Sequence, residues 1–162
     1  MTTALALLGV LVAAISLLFS GWQARLLSRQ TALQNGMAGA ATMQQLFNWL
    51  HTVQGRLLDE PRILPFFQPG DPAPQDLSSH ERARLKMLAA MYADVLTIGI
   101  FFHKTVPQTR SQGEWNAFCV RMLKNSEPIR AEVATKRNGY PDLWLLLHDH
   151  FPDALEKARK RL

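Results

Sequence analysis

Apolar side chains fill the start of the chain almost without interruption. From Met1 to Ala24 no side chain carries a charge, and Ala4 to Phe19 reads ALALLGVLVAAISLLF with Ser16 as its only polar member. At about 1.5 Å rise per residue, a helix of this length crosses a hydrocarbon core of roughly 30 Å. Beyond it, Leu33, Met37, Ala40, Met43, Phe47, Leu50, Val53 and Leu57 recur at steps of three and four. That spacing predicts a second amphipathic stretch, with a weak point at Asn35-Gly36 and a small-residue pair at Gly36 and Ala40.

Residues 59-76 carry Pro61, Pro65, Pro69, Pro72 and Pro74, too many for a helix. Their Ile63, Leu64, Phe66 and Phe67 predict a strap folded onto the core, followed by a looser PGDPAP tip. A long helix then opens at Ser78 or Ser79, where Ser78 and Glu81 form a capping box. Its second half, Val95 to Phe102, is apolar nearly all round, which makes it the central helix of a bundle. Pro107 closes it, and Ser111 with Glu114 signals a third helix bearing Trp115, Phe118, Cys119, Met122 and Leu123 on one face. A fourth follows Ser126 and Pro128 and runs to Asn138-Gly139, Pro141 opens a short apolar helix, and Pro152 opens the last. With no alternating β-type segments and no repeat, the expected fold is all-α: one N-terminal transmembrane helix followed by a small bundle of about five helices. The corresponding domains are an anchor at 1-27 and a cytosolic helical domain at 28-162.

Three fates of the apolar opening separate on its flanks. A cleaved signal peptide needs a positive start and a small-residue cleavage site, whereas Met1 is followed by Thr2 and Thr3 and the run passes into Trp22, Arg25 and Arg29. An aromatic ring at the headgroup level with arginines just beyond it is the composition of a membrane interface, so a retained anchor is expected over a signal peptide or a buried core helix. Only the terminal amine precedes the span, while Arg25, Arg29 and Arg56 follow it with no acid before Asp59. The positive-inside bias therefore predicts a single-pass protein of the cell membrane, its N-terminus outside and its domain cytoplasmic. The single Cys119 agrees with a reducing compartment.

Composition changes this picture little. The 48% hydrophobic content matches an ordinary soluble protein only because one apolar block is averaged with a polar remainder. A formal charge of +5 over 162 residues raises nucleic acid as a partner. The basic residues are dispersed, however, and the last helix gathers Lys157, Arg159, Lys160 and Arg161 without interleaved aromatics. Anionic lipid is the nearer partner for such a face, and nucleic acid is not expected.

The candidate chemistry is thin. His148 and His150 lie two apart, about 200° around a helix, so they cannot share a metal with Asp149 between them. Cys119, flanked by Phe118 and Val120, is expected to be structural. Asp94 lies in the apolar AAMYADVLTI run and needs a partner, for which Arg121 and Arg130 are candidates. Trp115, Tyr140 and Trp144, were they to meet Phe66 and Phe67, would form an aromatic cluster, either core or a ligand pocket, with Trp49 a further large ring. No cofactor is implied.

The segments EPRILPFF, AAMYADVL, EWNAFCVRML with SEPIR, and GYPDLWLLL after an N-terminal span give a layout that resembles a family of uncharacterised single-span bacterial proteins with no assigned activity. The resemblance implies membrane attachment and a helical fold and carries over no site residue. The function expected from the sequence is a membrane-anchored binding or scaffold protein that recruits a protein partner or a second copy of itself through an exposed helix face or the strap. The alternatives are a helical ligand sensor or enzyme with a pocket near Asp94, Arg121, Trp115 and Tyr140, and an accessory subunit of a larger membrane complex.

Overall fold

The computed structural model describes residues 2–68, 72–105 and 112–159. Among these the chain is all-helical, with a long N-terminal helix and a helical bundle. Six α-helices follow in order: α1 (Thr2–Leu58), α2 (Ser79–Thr105), α3 (Gln112–Asn125), α4 (Glu127–Thr135), α5 (Pro141–His150) and α6 (Pro152–Arg159), with a 3-10 turn at Leu64–Phe66 between the first two. The residues fall into two compact units, Met1–Thr42 and Met43–Leu162.

Among the described side chains of the first unit, the apolar ones are exposed. Leu11, Val12, Ile15, Leu17, Leu18, Phe19 and Trp22 are all more than half exposed, and Leu33 and Met37 are likewise open. By length and composition, both α1 and α2 are apolar enough to cross a membrane. They differ in what surrounds them. None of the most apolar stretch of α1 is buried, whereas half of that of α2 is packed inside the second unit.

The second unit is built around α2, which packs against α3, α4 and α5. The last turns of α1 give Leu46, Leu50, Val53 and Leu57 to its core, with Met43 partly covered. The inward stripe thus runs through Leu46 and not, as the spacing suggested, through Phe47, which remains 45% exposed. At 100° per residue, choosing the neighbouring position turns a side chain a quarter of the way round the helix.

The strap packs as its phenylalanines suggest. Ile63 and Phe67 are buried, Leu64 and Phe66 are partly covered, and the Phe67 ring stacks on Tyr92 of α2 at 5.8 Å. Ion pairs fix it from outside: Arg62 bridges Asp76 at 2.9 Å and Glu81 at 3.2 Å, and Glu60 pairs with Arg84. Pro69, Gly70 and Asp71 of the tip lie outside the described residues.

Two caps match their sequence signals. The Ser78 amide donates to Glu81 at 2.7 Å while the Ser78 hydroxyl accepts from the Glu81 amide at 3.2 Å. The Ser78 amide first, then the Ser78 side chain, hold the Glu81 carboxyl below the usual carboxylate range. At α4 the fully buried Ser126 accepts from the Ile129 amide. That helix stops at Thr135, earlier than Asn138-Gly139. The residues between form a turn closed by the Gly139 amide on the Lys136 carbonyl at 2.9 Å, so the glycine ends the turn and not the helix. Pro107 and Ser111 lie outside the described residues.

Trp115 has a place made for it. Its indole packs against Gly99 of α2, where an added Cβ would come within 2.1 Å of the ring. There its N–H donates to the Leu96 carbonyl at 3.2 Å. His103 and Phe118 flank the ring at 5.5 and 5.2 Å.

Candidate binding groove

The sequence candidates do not converge on one pocket. Trp115 is taken up by the Gly99 notch, and Phe67 by Tyr92. Trp144 stacks on His148 at 5.3 Å, with the Arg137 guanidinium 4.3 Å above its ring, and Trp49 is exposed on α1. The aromatic residues therefore serve separate contacts rather than one cluster.

Nor does Asp94 meet the expected arginines. Arg121 lies over the Phe118 ring at 5.4 Å, and Arg130 donates to the Lys124 carbonyl at 2.8 Å and to that of Leu123, capping the end of α3. Asp94 instead lies near the Tyr140 hydroxyl and Lys136, acting electrostatically on both. The structure thus brings together Asp94 and Tyr140 from the original set and adds Glu132 to them. Glu132 is 5% exposed, accepts from Lys136 Nζ at 2.6 Å and faces the Tyr140 hydroxyl at 3.4 Å. Burial first, then the two carboxylates, pushes the Tyr140 hydroxyl well above its ordinary value, so it stays protonated and donates. The bond from Glu132 raises Lys136 in turn.

Glu132 carries a sequence signature of its own. With Ile129 and Val133 it occupies the inward stripe of α4, and an acid on an apolar stripe must be paired or protonated. Its partners come from the next turn of chain, Lys136 and Tyr140.

Beside this cluster runs a groove of about 330 Å³ between the first half of α2 and α4. From α2 it takes Arg82, Leu85, Lys86 and Ala89, spaced on one helix face. From α4 it takes Glu127, Pro128, Ala131, Glu132 and Thr135, and Phe66 of the strap closes one end. Its lining is mostly apolar; of the charged residues, Arg82, Lys86 and Glu127 are exposed and Glu132 is buried.

The other candidates stay separate. His148 Nδ1 meets Asp149 at 3.2 Å while His150 turns to Phe151, and among the described residues no three of His, Cys, Asp or Glu are placed to hold a metal. Cys119 is fully buried, and burial pushes its thiol up to about 12. Trp22 is exposed beside Phe19 at 6.0 Å, with Arg25 and Arg29 exposed after it. The side chains of Lys157, Arg159, Lys160 and Arg161 lie outside the described residues. Compared with protein-family models, curated proteins and solved structures, the chain gives no match.

Proposed function

We propose that the protein is a membrane-attached helical binding protein that recruits a protein partner to the cytoplasmic face of the cell membrane. The observation that carries this is the uncovered apolar surface of α1. Seven large side chains from Leu11 to Trp22 are more than half exposed. Each forgoes part of the roughly 1.5–3 kcal/mol that burial of such a group supplies, on the order of 10 kcal/mol together. That equals a typical domain's whole stability, about 5–15 kcal/mol, so this surface needs cover. A bilayer provides it for a helix whose backbone polar groups are bonded internally. Trp22, Arg25 and Arg29 then fall at the interface, and the positive-inside bias places the domain in the cytoplasm.

On the domain, Ile98 and Phe101 of α2 and Leu145 of α5 stay exposed, Phe101 at 63%, near the Lys104–Asp142 ion pair that ties the two helices at 2.6 Å. These apolar groups are the candidate contact for such a partner, which requires that they join into one exposed apolar patch. Carbonate extraction and protease protection of the full chain test the anchor, with removal of residues 1-27 expected to release the domain to the soluble fraction. A photo-crosslinking residue at position 101 or 145 is expected to trap a protein that one at the exposed Gln112 does not. A full-length chain found soluble after carbonate washing would overturn the reading.

A further inference from the structure

We infer that the groove between α2 and α4 binds a free single-chain carboxylate, an amphiphile with a medium-length aliphatic tail, a ligand role beyond the partner recruitment proposed above. Its volume, about 330 Å³, lies at the small end of ligand pockets, roughly 300–1,000 Å³. Phe66, Leu85, Ala89, Pro128 and Ala131 give it an apolar floor, which suits a tail.

The head group follows from charge. Of the two acids that α4 contributes, the buried Glu132 pairs with Lys136 at 2.6 Å, and the exposed Glu127 acts electrostatically on Arg130. The two cations on the α2 rim, Arg82 and Lys86, have no ion-pair partner among the described residues. They stand four apart on one helix face, close enough to grip one anion between them. The groove is therefore positive where it is unpaired and apolar beneath, which matches a carboxylate on a chain. A peptide fits less well: α2 and α4 bond their own backbones internally, so the floor offers an extended peptide's amides nothing to pair with, and the volume holds one or two side chains rather than a helix.

The test uses the full chain in phosphatidylcholine nanodiscs and an octanoate carrying a terminal diazirine, with labelled positions mapped by mass spectrometry. Saturable labelling is expected on the peptides that contain Leu85, Ala89, Pro128 and Ala131. Octanoate should compete, and octanol and octylammonium should compete about tenfold more weakly, the discrimination one charge-assisted contact provides. The pair Arg82→Glu and Lys86→Glu should lower labelling by about tenfold with the thermal melt unchanged. Ala131→Trp, which fills the floor without changing charge, should abolish it. Labelling confined to α1, competition by octylammonium equal to octanoate, or labelling untouched by Ala131→Trp would overturn the inference. So would loss of labelling when phosphatidylglycerol is added to the disc, since a bilayer lipid would then be the occupant. None of these outcomes depends on whether a protein partner docks at Phe101.

Discussion

The Gly99–Trp115 contact sets a sharp condition on the core. In Gly99→Ala the new methyl would fall 2.1 Å from two carbons of the indole and 2.4 Å from its nitrogen. The ring has nowhere easy to go, with His103 and Phe118 on either side. Overpacking of this kind costs about 1–3 kcal/mol, and displacing the indole N–H from the Leu96 carbonyl adds about 0.5–1.5 kcal/mol. Against this stands the helix preference for alanine over glycine, about 1 kcal/mol. The net expectation is destabilisation by about 2 kcal/mol, which for a urea slope of about 1–3 kcal/mol per molar lowers the midpoint by about 1 M. Trp115→Ala alone should cost about 3–5 kcal/mol. In that background, however, the clash is gone and only the helix preference remains, so adding Gly99→Ala should stabilise, by up to about 1 kcal/mol. The assay is urea unfolding of the full chain in zwitterionic detergent, read by pulsed thiol labelling of the buried Cys119. That probe lies in the same core and is independent of the tryptophan removed. If Gly99→Ala lowers the midpoint equally in both backgrounds, the steric account of this glycine is wrong.

Three further outcomes follow from groups the core encloses. Because burial pushes the Cys119 thiol up to about 12, it should stay protonated at pH 8.5 and react with maleimide only as fast as the domain opens; native and urea-denatured rates that agree would refute this. Burial lowers the affinity of His103 for a proton, so the folded state favours the neutral ring while the unfolded chain protonates near about 6.5. Stability should be full above that pH and fall as pH drops through it toward the lower folded value; melting curves from pH 8 to pH 5 should show a steeper loss in the native protein than in His103→Phe. Ser126→Ala removes the buried cap on the Ile129 amide and should cost about 1 kcal/mol, up to about 2, whereas an unchanged urea midpoint would mean that the cap contributes nothing.

What was legible in the sequence was what the chain encodes within a few residues. The Ser78/Glu81 box, Ser126 ahead of Pro128, and the prolines at 141 and 152 each mark a helix start at or next to the residue where the structure begins it. The serines satisfy backbone amides of their own turn and the prolines remove one that would go unpaired, so no distant partner has to be guessed. What failed depended on rotation about a helix axis and on which neighbour a side chain meets. Phe47 and Leu46 differ by one position, yet the core takes Leu46 at 1% exposure and leaves Phe47 at 45%. Asp94 sits among apolar neighbours, but that run is apolar nearly all round, so the period could not say which way the acid faces; the structure leaves it exposed, beside Tyr140 and Lys136. Trp115 could not join Phe66 and Phe67 because Gly99 had already made room for it on another side of α2. The groove shares this character. Arg82 and Lys86 look like ordinary solvated charges of an amphipathic helix until α4 is laid beside them with Glu132 already paired to Lys136. Periodicity shows that a helix has an apolar face, but a binding surface arises from what two such faces leave unpaired, and that balance exists only once their register is fixed.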